Sequence, residues 1–184
     1  RASTLAVLTH LLAYGMNYFD SVIVPHGKER FLLENSCGSK LVKHSKFIFT
    51  GPIVRPLGYA KIDAVKNKYN ISSKDFLITV SVGGGGKTKY SESPQRIFEL
   101  VTEVHKNIRD SIPNLKLVVV LGHYYKEENN FDKDVKVVQY EQDLMELMYL
   151  SDVVVSHAGY NICNEIEIME KNGILLPLIR GEES

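Results

Sequence analysis

From Ser73 onward, short runs of β-branched residues alternate with stretches of helical periodicity. That alternation is the pattern of a parallel sheet whose strands are covered on both faces. Residues 76–82 read as the first strand. Ser93 and Pro94 then mark a helix start, with serine at the N-cap and proline at the first helical position. Ile97, Val101, Val104 and Ile108 recur at helical steps, which predicts one face laid on the sheet, and Pro113-Asn114 terminates the helix. Beyond it the pattern predicts strands at 115–121 and 135–139, a short helix at 142–149, a strand at 153–156, a helix at 161–171 and a strand at 174–178. The succession is α/β, a Rossmann-like doubly wound parallel sheet.

The first fifty residues follow a different pattern. An apolar stretch at 5–14 has helical spacing, strands are predicted at 21–24 and 46–50, and a Lys-rich polar segment lies between them. Gly51, Pro52 and Pro56 punctuate the chain next, as an interdomain linker does. The expected organisation is therefore the tail of a second α/β domain at 1–50, a linker at 51–56 and the main domain at 57–184. The chain opens on Arg1 and stops at Ser184 just past a strand-like run, so it reads as a fragment whose main domain is truncated at its C-terminus.

Composition narrows the function classes. With 22 basic and 22 acidic residues the chain has no net field to draw it onto nucleic acid or an anionic membrane. Cys37 and Cys163 lack metal-ligand spacing and form no disulfide framework, which fits a reducing, cytoplasmic setting. No apolar run reaches the ~18–20 residues that span a bilayer.

Ligands of open α/β sheets bind at the carboxyl ends of strands, where helix N-termini present unpaired N–H groups to anions. Two loops have that placement. Gly83, Gly84, Gly85 and Gly86 follow the first strand, and such a run either lets the backbone approach a phosphate or is simply a pliant connection. Gly86-Lys87-Thr88 imitates a Walker ending without its glycine spacing, and the run is not GxGxxG. The second loop, His157-Ala158-Gly159-Tyr160-Asn161, joins a buried strand to a helix. There an imidazole, a backbone-permissive glycine and a carboxamide meet a helix N-terminus, a combination suited to a diphosphate. Glu165 stands one helical turn beyond Asn161, where a carboxylate can accept both hydroxyls of a ribose.

The spacing His157-x-Gly159-x-Asn161-x-x-x-Glu165, with Pro177 twelve residues further on, resembles the donor-binding signature of GT-B glycosyltransferases that use nucleotide diphosphate sugars. Residues 50–55, Thr-Gly-Pro-Ile-Val-Arg, look like the segment that opens the C-terminal domain of MurG-type enzymes, glycosyltransferase family 28. Tyr140-Glu141-x-Asp143-Leu144-Met145, with Asp152 following, is similar to the same family's pattern before its signature loop.

The resemblance implies that His157, Ala158, Gly159 and Asn161 meet the diphosphate, that Glu165 binds the ribose, and that the main chain at Tyr140 and Glu141 pairs with a uracil edge. It also places Gly83 to Gly86 near the phosphates and gives Glu182 or Glu183 to the sugar hydroxyls. The implied reaction moves a hexosyl group from a UDP-sugar to an unidentified acceptor, lipid-linked in many MurG-type relatives, which would bring the protein to the cytoplasmic membrane face. It needs no metal and no cofactor, the nucleotide sugar being a substrate. The general base belongs to the N-terminal domain, most of which this chain lacks. Two alternatives share the architecture: a donor-binding subunit of a split glycosyltransferase, and a UDP-sugar 2-epimerase. The sequence departs from the pattern at Ile162 and Gly85, where the family has serine, and at residues 170–172, where its Gly-x-Pro is replaced.

Overall fold

The computed structural model describes residues 15, 18–25, 47–83, 94–126 and 130–176. The chain divides into two compact units between Ile53 and Val54, a point inside the 51–56 segment. In the first unit, β1 (Val22–Val24) pairs in parallel with β2 (Phe47–Phe49), Val22 opposite Phe47. Phe47 and Phe49, two apart and therefore on one face of the strand, stack with ring centroids 6.4 Å apart. The apolar stretch 5–14 and the Lys-rich segment lie outside the described residues.

Among the described residues the second unit is a parallel sheet of five strands, β3 (Phe76–Ser81), β4 (Leu115–Val120), β5 (Lys136–Val138), β6 (Val153–His157) and β7 (Asn172–Leu176), in the spatial order β5-β4-β3-β6-β7. Its helices are α1 (Ile62–Lys68), preceded by a 3-10 turn at Tyr59–Lys61, α2 (Gln95–Ile108), α3 (Leu144–Leu150) and α4 (Tyr160–Ile168). The doubly wound parallel sheet expected from the sequence is the fold observed.

Alternate residues of the central strands feed two cores, as the period of two requires. Val80 and Val82 join Ile97, Phe98, Leu117, Val119 and Val155 in one cluster. On the opposite face Leu77, Val118 and Val120 meet Val65, Tyr69 and Leu147. Met145, Met148, Val154 and Ile166 form a third cluster beneath α3 and α4. The polar residues buried in the middle of the sheet are satisfied: Ser151 Oγ donates to Thr79 Oγ1 at 2.7 Å, and Ser156 Oγ to the Ser81 carbonyl at 2.6 Å.

Several elements differ from expectation. The helix at 59–68 is not predicted, because Val65 is its only buried residue and so few apolar positions leave no period to read. Pro94 precedes α2 in helical conformation, and its carbonyl already accepts from Ile97 and Phe98, so the hydrogen-bonded helix opens one residue later than expected. The buried face of α2 is also rotated. Ile97, Phe98 and His105 are enclosed, whereas Val104 is 51% exposed. Val104, Leu100 and Ile174 instead border an apolar groove of about 390 Å³ between α2 and the β6–β7 side of the sheet. Strand β7 starts two residues before the expected run, since pairing with β6, Val153 opposite Asn172, sets its register.

Candidate functional site

The strand order defines where a ligand can enter. From β3 the chain moves outward through β4 to β5, then returns to place β6 on the other side of β3 and continues to β7. The direction reverses between β3 and β6, and the carboxyl ends of those two strands bound a topological switch point. Ser81 lies opposite Ser156 at their ends, so the loops that follow emerge side by side.

Gly83 heads the first loop at φ +69°, a conformation that side chains rarely adopt, so glycine is required here for the turn itself. Gly84, Gly85 and Gly86 lie outside the described residues, as do Pro177, Glu182 and Glu183.

The second loop leaves β6 at His157, which is half-buried. Ala158 N–H donates to the Leu176 carbonyl at 2.8 Å and Gly159 N–H to the His157 carbonyl at 2.7 Å, which fixes the turn into α4. Gly159 is the N-cap and, having no side chain, brings no cap of its own to the helix N-terminus. At 159 glycine is not required by the backbone conformation. Its φ of −85° and ψ of 150° are ordinary extended backbone, and among the described residues an added Cβ would meet only Ile162, at 3.8 Å. What glycine supplies is open space in front of the helix. Asn161 is exposed in the first turn of α4. Ile162, at the position where serine was expected, packs on the Met145–Ile166 cluster.

Glu165 lies in α4 with its side chain only 9% exposed, and Oε1 accepts from Arg55 Nε at 3.4 Å. Arg55 itself is more than half exposed. The sequence reading used Arg55 only as part of a linker motif. Its ion pair with a residue 110 positions away is a tertiary contact that no local pattern reports.

At the far side of the same edge, Tyr140 and Glu141 follow β5. Among the described residues their main-chain groups make no backbone hydrogen bond. Gln139 ties this segment to the end of β4 by donating to the carbonyls of Gly122 and Tyr125, both at 2.7 Å. His123, just past β4, stands edge-on to the exposed ring of Tyr140 with centroids 6.3 Å apart, and to the exposed ring of Tyr124 at 5.1 Å. The sequence reading missed this aromatic group. Its available signal was a His-Tyr pair directly after a glycine at a strand's carboxyl end.

The Glu141 side chain has a different role from its main chain. Its carboxylate is fully buried and accepts from the Tyr69 hydroxyl, from Lys68 Nζ at 2.7 Å and from the Asp143 backbone N–H at 3.0 Å. Burial pushes the carboxyl up, but the bonds from Lys68, Tyr69 and the Asp143 N–H outweigh it and hold Glu141 below its ordinary range. Burial, then the bond to Glu141, pushes the Tyr69 phenol up. A carboxyl depressed in the folded state contributes stability that is complete above its unfolded value, about 4.3, and is lost as pH falls through the folded value. Urea midpoints measured from pH 7 down to pH 3 are therefore expected to fall more steeply for the natural chain than for Glu141→Gln. Parallel curves for the two would refute the assignment.

These features define a doubly wound α/β domain with its ligand edge at the β3–β6 switch point, the architecture of one half of a GT-B glycosyltransferase. Residues 79–184 match the Glycosyltransferase family 28 C-terminal domain, and the chain belongs to that family. An uncharacterized glycosyltransferase of Methanopyrus kandleri is 27% identical over 136 residues, 73% of this chain and 36% of the relative. The UDP-N-acetylglucosamine–N-acetylmuramyl-(pentapeptide) pyrophosphoryl-undecaprenol N-acetylglucosamine transferase of Clostridium botulinum is 28% identical over 144 residues, 76% of this chain and 37% of the relative. The chain thus spans little more than a third of the curated relatives it matches. Among solved structures, the glycotransferase of kitacinnamycin aligns with a TM-score of 0.56 at 17% identity, over 89% of this chain and 38% of that one. The wall teichoic acid polymerase TagF aligns with a TM-score of 0.53 at 11% identity, over 89% and 41%. At these identities the two structures speak to the fold alone.

Proposed function

We propose that this chain supplies the donor site of a hexosyltransferase that uses a UDP-sugar. The observation that carries the reading is the convergence at the β3–β6 switch point of the Gly83 turn, the His157–Asn161 loop and the buried Glu165 carboxylate. The diphosphate lies against the N-terminus of α4, where the backbone N–H groups and the helix dipole favour negative charge. Gly159 leaves room for that approach, and His157 and Asn161 add polar contacts. Glu165 accepts the ribose hydroxyls, and Arg55 holds its carboxylate in place. The main chain at Tyr140 and Glu141 meets the uracil edge, with the Tyr140 and His123 rings beside it.

The C. botulinum relative's name specifies a UDP-sugar donor and a lipid-linked acceptor, and that supports the UDP assignment for this chain. As the anomeric bond breaks, negative charge grows on the leaving diphosphate, and the α4 N-terminus stabilises it in place. The acceptor and the general base belong to the rest of the full-length protein. The proposed setting is the cytoplasm, with peripheral membrane contact if the acceptor is a lipid; no described helix is long and apolar enough to cross a membrane.

Calorimetric titration of UDP and UMP into the chain tests the reading. The second phosphate meets the helix N-terminus, an interaction worth up to ~2 kcal/mol, so UDP is expected to bind more tightly than UMP by up to about thirtyfold. His157→Ala is expected to narrow that difference. Equal affinity for the two nucleotides would overturn the proposal.

A further inference from the structure

His105 raises a separate question. It lies near the end of α2 with its side chain 5% exposed, and among the described residues its buried Nδ1 has no hydrogen-bond partner. A buried polar nitrogen without a partner is costly, and native structures rarely leave one without a reason. Both ring nitrogens face carboxylates. Nδ1 is 4.0 Å from Asp132 Oδ2, and Nε2 is 3.7 Å from Asp134 Oδ2. One ligand atom from each of the three residues can be chosen so that all lie within 4.8 Å of one another.

We propose that His105, Asp132 and Asp134 bind one divalent transition-metal ion of the zinc type. One imidazole nitrogen and two carboxylate oxygens are a donor set that suits zinc, with water completing a tetrahedron. Bond lengths of about 2.0–2.2 Å place tetrahedral ligand atoms roughly 3.4 Å apart. Only one ring nitrogen can hold the ion, so with Nδ1 as ligand Asp134 must swing from the Nε2 side to join Asp132, and at 55% exposed it has room to do so. Two carboxylates also balance the charge of the ion against a neutral ring.

The competing explanation is an ordinary ion-pair cluster. Asp132 accepts from Arg109 Nη1 at 3.2 Å and lies 3.9 Å from Lys106 Nζ. Those contacts account for Asp132 but give His105 Nδ1 no hydrogen bond. They also leave Asp134, whose one ion-pair contact among the described residues is to His105. Arg109 and Lys106 are 43% and 54% exposed, so an arriving ion can release them to water at little cost.

The location indicates the role. α2 returns from the carboxyl edge of β3, so His105 lies towards the opposite edge, where Asp132 and Asp134 lead into β5. The ion would clasp α2 to the β4–β5 connection, away from the switch point, and it stands independently of the donor-site reading.

The experiment is titration of Zn2+ alone, and of Co2+ alone as a spectroscopic substitute, into the chelator-treated 184-residue chain. One saturable equivalent is expected, with visible Co2+ absorption bands and a raised melting temperature. Asp134→Asn removes an exposed ligand at constant size and is expected to weaken binding by about tenfold or more; His105→Gln should abolish it, and Cys163→Ser should leave it unchanged. Failure to find a saturable site would overturn the proposal. So would binding that survives Asp134→Asn and His105→Gln, or that disappears with Cys163→Ser.

Discussion

Replacing Glu165 with alanine is expected to weaken UDP binding by about 1.5–3 kcal/mol, the usual worth of hydrogen bonds to a charged group, or roughly ten- to a hundredfold in Kd. The proposed ribose contact uses a carboxylate that is almost enclosed in α4 and already oriented by Arg55, so little ordering remains to be done on binding. Folding should be far less affected. Arg55 is more than half exposed and can return to water, which limits what their ion pair contributes to stability. Calorimetry with UDP, alongside a thermal melt of the free chain, separates the two effects. An unchanged Kd in a folded Glu165→Ala chain would remove the ribose assignment.

The largest expected loss of stability comes from Phe98→Ala. The Phe98 ring is 1% exposed and meets the Tyr125 ring edge-on at 5.0 Å and the Phe131 ring at 5.8 Å. Truncating a buried phenylalanine costs about 3–5 kcal/mol. For a chain of this size that lowers the melting temperature by about 10 °C. The two aromatic partners lie in the β4–β5 connection, so the cavity would loosen α2 and that connection together. A urea midpoint close to that of the natural chain would mean the three rings do not form one core. This result does not depend on what the domain binds.

The parallel sheet was legible in the sequence because its evidence is local. Each buried strand is a short apolar run rich in β-branched residues, such as Leu117 to Val120, and the connections between them carry their own turn or helix signals. The same is true of the loop from His157 to Glu165, whose spacing belongs to a single strand–turn–helix unit. Features decided by tertiary contacts were not legible. The spacing of Val104 suits a buried helix face, yet α2 buries Ile97, Phe98 and His105 instead, and Val104 ends at the groove. Asn172 and Gly173 have little strand propensity of their own and are strand residues because β6 pairs with them. Arg55 and His123 come to the candidate site from distant segments. Glu141 could be read only as a main-chain contact, since nothing nearby in sequence announces that Tyr69 and Lys68 hold its carboxylate.

The central position of β3 has a consequence for how the chain acquires its structure. β3 is hydrogen-bonded to β4 on one side and β6 on the other, and Ser81 and Ser156 at the ends of β3 and β6 are 75 residues apart. A strand that must wait so long for its second neighbour makes folding slow, because that loop has to close before its contacts stabilise anything. During synthesis at about 5–20 residues per second, β3 leaves the ribosome on the order of 4–15 s before β6. Through that interval one edge of the domain's central strand is unpaired, and it is the stage at which a chaperone would have most to protect.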